Sequence, residues 1–554
     1  MQVVDLITEF LKNHKVKHVF GYQGGGILPL IHSICKSDSI DYVQTYHEQA
    51  AGFAADGYAR ITENLGVALA TNGPGATNLV SAIANSYFDF SPCIFFTGQV
   101  NTFDINKVAN VRQNGFQEID TVSLVKDITK YAVRIEKESE ILNELQKAYK
   151  IATTAPKGPV LIDLPLNIQK AEIDENLLKS HNVYSEVNNL SQKSINKFIE
   201  MLSNSVRPVV VAGGGIKLSG AQKEFAEFIE KTNIPRVSTL NGLDVYSKNN
   251  FGFCGLYGLN EANLAINKSD LLIIFGSRLS KRQIGIKDKY APNAKIIQID
   301  VNTDELGRVL ENELSINADI KNFLSYLLQK LNSENLKNYN GWLEEIINLK
   351  QKYSSKIEYN NKDVRPVEFV KTVSNYISDS ANIIFDVGQN QMWCAQALHV
   401  KKRQSIISSG GLGCMGFSLP AAVGAYYANG NQTIAFMGDG GLQMNLQELQ
   451  LVSQNKLPIK IVVFNNTSLG MIQEVQMKFA NKEYFGTKIG YSTVNLEKLA
   501  NCYDINFVSI KNQNDIKTLE EKFKDNNSYI VEIVMTETPT RLQTQYDEVK
   551  EYEN

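Results

Sequence analysis

Short apolar runs that end in glycine-rich turns recur along the whole chain, and stretches with helical spacing separate them. Examples are "GVALATNGPG", "PVVVAGGG", "LLIIFGSR", "TIAFMGDGG" and "IKIVVFNN". Uninterrupted apolar runs of this kind are typical of strands buried on both faces of a parallel sheet, with helices covering those faces. The sequence therefore predicts an α/β fold of three consecutive doubly wound parallel-sheet domains.

Polar segments divide the predicted elements into domains. The chain has 554 residues, and the stretches around 174–193 and 333–365 are polar or charged. We expect an N-terminal domain over 1–170, a central Rossmann-like domain over 188–332 and a C-terminal domain over 366–554. The residues 333–365 read as a solvent-exposed, largely helical connector. The first and last domains are alike in pattern.

Composition excludes several classes of protein. The formal net charge of −3 gives no general electrostatic reason to bind nucleic acid or an anionic membrane. No run of about 18 apolar residues occurs, and the N-terminus lacks the features of a signal peptide. The six cysteines are scattered without CxxC spacing, and the six histidines without metal-ligand spacing. These features predict a cytoplasmic protein with reduced thiols.

The segment "GDGGLQMNLQELQLVSQNKLPIKIVVFNN" combines a glycine turn, a helix and a strand that ends in two asparagines. Glycines let the backbone approach a ligand, and the amides at a helix N-terminus favour phosphate. Asp439 and Asn466 lie 466 − 439 = 27 residues apart, which corresponds to one helix plus one strand. Adjacent parallel strands would bring both side chains to one sheet edge, where they suit Mg²⁺. The alternative is an ordinary βαβ turn in which Asp439 caps the helix.

This motif resembles the signature of thiamine diphosphate enzymes. The resemblance implies that Asp439, Asn466 and the Ser468 carbonyl hold a Mg²⁺ ion on the cofactor's diphosphate. It also matches "YHEQAAGFAADGYAR" to the helix whose glutamate hydrogen-bonds the pyrimidine ring, which nominates Glu48. The alternative for Glu48 is a first-turn acid that the helix dipole favours.

Further motifs resemble the acetohydroxyacid (acetolactate) synthase family in order along nearly the whole chain. They are "VFGYQGGGILPL", "TNGPGATN", "FQE", "VGQNQMW" and "SSGGLGCMGFSLPAA". The resemblance makes the first domain pyrimidine-binding and the last diphosphate-binding, with active sites between subunits of a homodimer or homotetramer. Its implied cofactor-binding residues are Gln389, Asn390, Gly413 (through its carbonyl), Met415 (beneath the bent cofactor), Gly440, Gly441 and Met471.

The same family carries a non-redox FAD against its central domain. Gly214, Arg278 and Arg282 stand where the family binds the flavin. The family's "RFDDR" is "RLSKR" here, so Ser280 and Lys281 replace two acids, while both arginines remain. The resemblance implies FAD, and the alternative is a domain that only scaffolds the dimer.

The resemblance also bears on the substrates. Phe116 and Gln117 join Glu48 in the implied catalytic set and favour pyruvate as the donor of a two-carbon unit. Val475 replaces a tryptophan of the family's acceptor pocket, which should enlarge that pocket. The loop before "FQE" is longer than in the family and carries Arg112, which is either a clamp for an acceptor anion or a solvated charge.

Three functions remain open at this stage. The chain is read as a 2-oxo acid decarboxylase and carboligase of the acetolactate synthase type. One alternative is a carboligase that adds the two-carbon unit to a larger ketone, such as a nucleotide-linked keto-sugar. The other is a non-catalytic thiamine diphosphate-binding subunit, against which the joint presence of Glu48, Asp439, Asn466 and Met415 argues.

Overall fold

Three six-stranded parallel sheets, each flanked by helices, follow one another along the chain. The computed structural model describes residues 1–108, 110–174, 191–331, 336–353, 364–481 and 483–535. The expected fold class is confirmed. The polar linker at 175–190, part of the expected connector and the C-terminal tail "RLQTQYDEVKEYEN" lie outside the described residues.

The N-terminal domain has strand order β2-β1-β3-β4-β6-β5. Its strands are β1 (His18–Gly21), β2 (Asp41–Gln44), β3 (Gly66–Ala70), β4 (Cys93–Gln99), β5 (Tyr131–Arg134) and β6 (Val160–Pro165). Its helices are α1 (Val3–Asn13), α2 (Leu28–Cys35), α3 (Glu48–Thr62), α4 (Pro74–Phe88), α5 (Thr121–Val125), α6 (Ile141–Thr153) and α7 (Leu166–Gln169). Every residue of β3, β4 and β6 is buried, as continuous apolar runs predict.

The central domain has strand order β12-β11-β10-β7-β8-β9, the nucleotide-binding order in which the chain reverses beside its first strand. Its strands are β7 (Pro208–Ala212), β8 (Arg236–Ser238), β9 (Asn250–Phe253), β10 (Leu271–Phe275), β11 (Lys295–Asp300) and β12 (Leu314–Asn317). Its helices are α8 (Gln192–Asn204), α9 (Gly215–Leu218), α10 (Gln222–Thr232), α11 (Asn260–Asn267), α12 (Lys281–Ile284), α13 (Ile320–Lys330) and α14 (Asn340–Tyr353).

Helix α14 falls within the expected solvent-exposed connector, and that expectation of exposure is wrong for its inner face. Trp342 and Ile346 are buried in one of the hydrophobic clusters of the central domain. The Trp342 indole nitrogen donates to the Pro208 carbonyl at 3.1 Å. The expectation of exposure arises because the segment is rich in charged residues. These two apolar residues are four positions apart and therefore lie on the same helix face.

The C-terminal domain has strand order β14-β13-β15-β16-β18-β17, which repeats the order of the N-terminal domain. Its strands are β13 (Asn382–Phe385), β14 (Ser405–Ser408), β15 (Thr433–Gly438), β16 (Ile459–Asn465), β17 (Asn506–Ile510) and β18 (Tyr529–Val534). Its helices are α15 (Pro366–Val373), α16 (Gln389–Ala397), α17 (Ser418–Asn429), α18 (Asp439–Met444), α19 (Leu449–Gln454), α20 (Gly470–Phe479), α21 (Leu496–Cys502) and α22 (Leu519–Lys524).

Helices α3 and α17 join the N-terminal and C-terminal domains through small residues. A Cβ on Gly424 would lie 1.9 Å from the Ala54 carbonyl oxygen, and a Cβ on Gly57 would lie 2.3 Å from that of Ala421. The two helices therefore approach to backbone contact, and one hydrophobic cluster runs through both domains. This contact fixes the two sheets relative to each other within one chain.

We expect Gly424→Ala to destabilise the protein by about 1–3 kcal/mol, because the new methyl group has no space at a backbone contact. Urea denaturation measures the change in the free energy of unfolding. Gly341→Ala in α14 is the matched control, since a Cβ there meets no atom within 4 Å and should be neutral or slightly stabilising. Equal stabilities of the two variants would contradict the close packing of α3 on α17.

Asp163, within β6, is fully buried. Its carboxylate accepts from Thr97 Oγ1 at 2.7 Å and from Gln99 Nε2 at 3.0 Å. Burial raises the pKa of Asp163 to about 7. The folded state thus retains a proton that the unfolded chain releases near pH 4. The stability from this group is complete below about pH 4 and is lost as the pH rises through about 7.

Asp163→Asn should therefore flatten the dependence of stability on pH, since asparagine can keep both neighbours bonded without titrating. Relative to the unchanged protein, the variant is expected to gain stability between pH 5 and pH 8. Urea denaturation at both pH values, with Asp127→Asn at an exposed position as control, measures the difference. An unchanged pH dependence would contradict a buried, proton-retaining Asp163.

Candidate active site

The strand pairing brings Asp439 and Asn466 to one edge of the C-terminal sheet. Strands β15 and β16 are parallel neighbours with Gly438 opposite Phe464, and Asp439 and Asn466 follow directly after these strands. Ser468 is buried two residues later, and its amide donates to Asn466 Oδ1 at 3.2 Å. The predicted metal-binding residues therefore lie together.

The pKa of Asp439 is raised to about 6, chiefly because the carboxyl group is buried. The Tyr491 hydroxyl donates to Asp439 Oδ2 at 3.2 Å, and burial, together with this carboxylate, raises the pKa of that tyrosine. A divalent cation would supply the positive charge that this buried carboxylate lacks. Sequence reasoning missed Tyr491, because it comes from a loop 52 residues further along the chain.

Gln389 and Asn390 begin α16 beside this edge, as predicted for residues that reach a diphosphate. Gln389 Oε1 accepts from Asn466 Nδ2 at 3.5 Å. In the described part of the chain, Gln389 Nε2 and Asn390 Oδ1 are buried without a hydrogen-bond partner. Buried polar groups without partners are rare, and a bound ligand is one way to satisfy them. Gln389 Nε2 is a donor that fits the oxygens of a diphosphate, whereas Asn390 Oδ1 requires a donor group of a ligand.

Glycines at this edge allow neighbouring side chains to approach the backbone closely. A Cβ on Gly440 would lie 2.7 Å from Leu469 Cδ2 and 3.3 Å from Met415 Cε, so Met415 lies against the glycine turn. Gly441 closely approaches the carboxylate of Asp386. The single helix expected between the glycine turn and the next strand is divided: α18 ends at Met444, and the Asn445 side chain donates to the Gly416 carbonyl at 2.9 Å.

Asp386 is a second residue that sequence reasoning missed. Its buried carboxylate accepts from the amides of Val387, Gly416 and Ser418 and from the Ser418 hydroxyl, at 2.8–3.0 Å. Burial raises the pKa of Asp386 to about 6. These bonds fix the turn that follows Met415. Met471, in α20, packs partly against the core of the C-terminal domain.

Glu48 is the first residue of α3 and is 7% exposed. Its Oε2 accepts from Asn78 Nδ2 at 2.9 Å, and its Oε1 faces Gly75. The bond to Asn78 keeps the carboxylate within the N-terminal domain. Contacts to the C-terminal domain run through its neighbours, since Tyr46 N donates to Glu448 Oε1 at 3.0 Å and Asn445 Nδ2 donates to Gln49 Oε1 at 3.3 Å.

The loop between β4 and α5 carries the remaining predicted substrate residues of the N-terminal domain. Phe116 is 84% exposed and Arg112 is also exposed. Gln117 adopts a positive φ of 63°. The Phe116 and Gln117 carbonyls both accept from Asn72 Nδ2 at 3.2 Å, so these residues are anchored beside the "TNGPG" turn. Val475, on α20, is 49% exposed.

A cavity of about 550 Å³ lies between the central domain and its two neighbours, and its size is typical of a small-molecule site. Gly214, Arg278 and Arg282, the expected flavin-binding residues, line this cavity. In the described residues its wall contains two buried polar atoms without partners, Asn241 Oδ1 and Gln283 Nε2. The cavity extends to Gly413 and so approaches the segment that leads to Met415.

Comparison with known proteins agrees with this geometry. The N-terminal, central and C-terminal domain profiles of thiamine pyrophosphate enzymes match residues 1–124, 195–327 and 386–533. The acetolactate synthase large subunit of Lactococcus lactis subsp. lactis is 38% identical over 96% of this chain and 92% of its own. The chain belongs to this family of thiamine pyrophosphate enzymes.

Other members of the family are similarly related. A probable acetolactate synthase large subunit of Methanocaldococcus jannaschii is 37% identical over 97% of this chain and 92% of its own. The acetolactate synthase isozyme 1 large subunit of Escherichia coli is 33% identical over 92% of this chain and 90% of its own. The family's terminal domains bind thiamine pyrophosphate, and the open edge at Asp439 and Gln389 fits that cofactor.

Proposed function

We propose that the protein is an acetolactate synthase, which decarboxylates pyruvate and joins the remaining two-carbon unit to a second pyruvate. The observation that carries this proposal is the meeting of Asp439 and Asn466 at an open sheet edge beside Gln389 Nε2. The relatives that match nearly the whole chain carry the same activity in their names.

Asp439, Asn466 and the Ser468 carbonyl would hold Mg²⁺, and Gln389, Asn390 and the amides of Gly440 and Gly441 would hold the diphosphate. Met415 and the Gly413 carbonyl would support the aminopyrimidine. Bound thiamine diphosphate supplies the nucleophilic carbon and the electron sink for decarboxylation. Glu48 would hold a proton against the pyrimidine ring, in a position kept by Asn78.

The active site in this proposal is shared between the two chains of a homodimer. Its support is that Glu48 is bonded inside its own domain, and that apolar side chains near both sites remain exposed, among them Phe116, Met444 and Leu412. Glu48 of one chain would serve the cofactor held by Asp439 of the other. Pairing of dimers into a tetramer is compatible with the same sharing.

Mixing two inactive variants tests the shared site. A heterodimer of Glu48→Gln and Asp439→Asn chains has one site with both original residues and one with neither. Random mixing should therefore restore about a quarter of the original activity, from half the dimers with one intact site each. No recovery from chains that are shown to exchange would contradict the sharing.

We further propose that the central cavity holds FAD, with Arg278 and Arg282 near its phosphates. The unpartnered Asn241 Oδ1 and Gln283 Nε2 and the size of the cavity support a polar ligand. Flavin absorbance near 450 nm that stays with the protein through purification would support bound FAD. A protein that remains colourless after incubation with FAD would favour a scaffolding domain.

The six cysteines are all unbridged thiols, which suits the reducing cytoplasm, where we place the protein. No described helix is both long and apolar enough to cross a membrane.

Acetolactate formation from pyruvate tests the proposed function. Purified protein is incubated with pyruvate, Mg²⁺, thiamine diphosphate and FAD, and each cofactor is omitted in turn. Acetolactate that disappears without thiamine diphosphate is the expected result. Binding of the cofactor without any consumption of pyruvate would instead favour a non-catalytic subunit.

A larger acceptor is the second candidate function, and two observations favour it. Val475 and Ile472 are about half exposed on one helix, where a tryptophan would fill more space. The loop that carries Arg112 is also well organised. Glu118 accepts from the amides of Asn106, Asn114 and Gly115 at 2.6–3.0 Å. A loop built in this way can present Arg112 to an anionic acceptor.

Nucleotide-linked keto-sugars test this candidate. If one is the acceptor, acetolactate forms slowly from pyruvate alone and the keto-sugar accelerates pyruvate consumption. Val475→Trp should then reduce use of the keto-sugar more than use of pyruvate. Fast acetolactate formation that no keto-sugar alters would reject the larger acceptor.

A further inference from the structure

The segment from Ser408 to Gly416 connects β14 to α17 and carries both Gly413 and Met415. The Ser409 hydroxyl accepts from the amides of Gly413 at 3.0 Å and Cys414 at 2.8 Å. The side chain of Ser409 is buried. One hydroxyl therefore closes this turn from inside and determines where the Gly413 carbonyl points, at a residue with a φ of 80°.

A side chain of the N-terminal domain holds that hydroxyl in place. Ser409 donates to Asn85 Oδ1, on α4, at 2.5 Å. Asn85 in turn donates from Nδ2 to Asp56 Oδ2, on α3, at 3.2 Å. Asn85 and Asp56 are fully buried. A hydroxyl has one hydrogen and two lone pairs, so Asn85 and the two amides satisfy Ser409 completely.

Two more residues of the N-terminal domain hold the start of the same segment. Arg60 Nη1 donates to the Ser408 carbonyl at 2.9 Å, and Asp89 Oδ2 accepts from the Gly410 amide at 3.1 Å. Arg60 also lies 3.6 Å from Asp56 and 3.7 Å from Asp89. The segment is thus bonded to a buried polar cluster of Asp56, Arg60, Asn85 and Asp89.

We propose that Asn85 is a positioning residue for the thiamine cofactor, and that it acts through Ser409 on Gly413 and Met415. The inference rests on the proposed function, in which this turn supports the aminopyrimidine. Asn85 Oδ1 orients the Ser409 hydroxyl, which accepts hydrogen bonds from the amides of Gly413 and Cys414. These bonds hold the turn in its binding conformation before the cofactor binds. In this way the N-terminal domain orders the part of the cofactor site that the C-terminal domain of the same chain provides.

Amide hydrogen exchange in the cofactor-free protein tests the chain of bonds independently of activity. Asn85→Ala and Ser409→Ala should each accelerate exchange at Gly413 and Cys414 by about tenfold, because a buried hydrogen bond is lost. Ser86→Ala is the matched control, since Ser86 is the next residue, is buried and donates to the same Asp56 oxygen at 3.0 Å, whereas the hydroxyl of Ser409 is bonded by Asn85. Ser86→Ala should leave this exchange unchanged.

Cofactor titration adds the functional half of the test. Asn85→Ala should weaken thiamine diphosphate binding by about tenfold. The variant that combines Asn85→Ala with Ser409→Ala should bind the cofactor as tightly as Ser409→Ala alone, because Asn85 acts only through Ser409. Faster exchange throughout the protein, or the same local change in Ser86→Ala, would mean a general structural role and overturn the proposal. If exchange at Gly413 and Cys414 changes as expected but the purified protein does not form acetolactate, the positioning role is supported and the proposed reaction is rejected.

Discussion

Glu48→Gln is expected to lower kcat with pyruvate by a factor of about 10²–10⁴, the usual contribution of a group that transfers a proton in catalysis. The substitution retains the shape of the side chain and its bond to Asn78, but the amide cannot exchange a proton with the pyrimidine ring. Since Glu48 does not belong to the metal edge, cofactor affinity should change by less than about tenfold.

Deuterium exchange at C2 of the bound cofactor, stopped with acid and read by NMR, measures the affected step directly. Glu9→Gln is the control, because Glu9 is an exposed acid of the same domain that pairs with Lys12 at 3.2 Å. Slow exchange in Glu48→Gln alone supports the assignment. Unchanged exchange would return Glu48 to the role of a first-turn acid favoured by the helix dipole.

Asp439→Asn is expected to weaken Mg²⁺-dependent binding of thiamine diphosphate by about 100-fold or more, since even residues that only support metal ligands contribute 10–100-fold. Asparagine preserves the size of the side chain and can still accept from the Tyr491 hydroxyl, so the fold should persist. What is lost is the negative charge that Asp439 offers to the cation at this edge.

Titration with thiamine diphosphate at fixed Mg²⁺, followed by the intrinsic fluorescence of the two tryptophans, of which Trp393 lies on α16, measures this affinity. Asp379→Asn is the control, because Asp379 is an exposed acid of the same domain that pairs with Lys401 at 3.1 Å. Equal affinities of the two variants would contradict a metal site at Asp439. A large loss that excess Mg²⁺ partly reverses would support it.

The sequence predicts the fold and the centre of the site because both depend on local rules. Apolar runs that end at glycines specify buried parallel strands, and one helix plus one strand is the spacing that returns the chain to the same edge. For that reason the neighbouring positions of Asp439 and Asn466 and the place of Glu48 in the first turn of α3 follow from the motifs. The parallel pairing of β15 with β16 bears out this reasoning.

The rest depends on contacts between segments that are distant in sequence. Tyr491 and Asp386 support the site from other loops, and Asn85 reaches Ser409 across 324 residues. The break in the helix at Asn445 arises because its side chain bonds Gly416, which no local propensity indicates. The burial of Trp342 and Ile346 in α14 is also not predictable from the local sequence, because it depends on packing against the central sheet.

The most direct test of the proposed reaction is the fate of [2-¹³C]pyruvate, followed by carbon NMR with the purified protein, Mg²⁺, thiamine diphosphate and FAD. Joining two pyruvates connects two labelled carbons, so the expected product is acetolactate with a one-bond carbon–carbon coupling between its ketone and carbinol carbons, together with one CO₂ per acetolactate. Labelled acetaldehyde without a coupled product, or unchanged pyruvate, would contradict it.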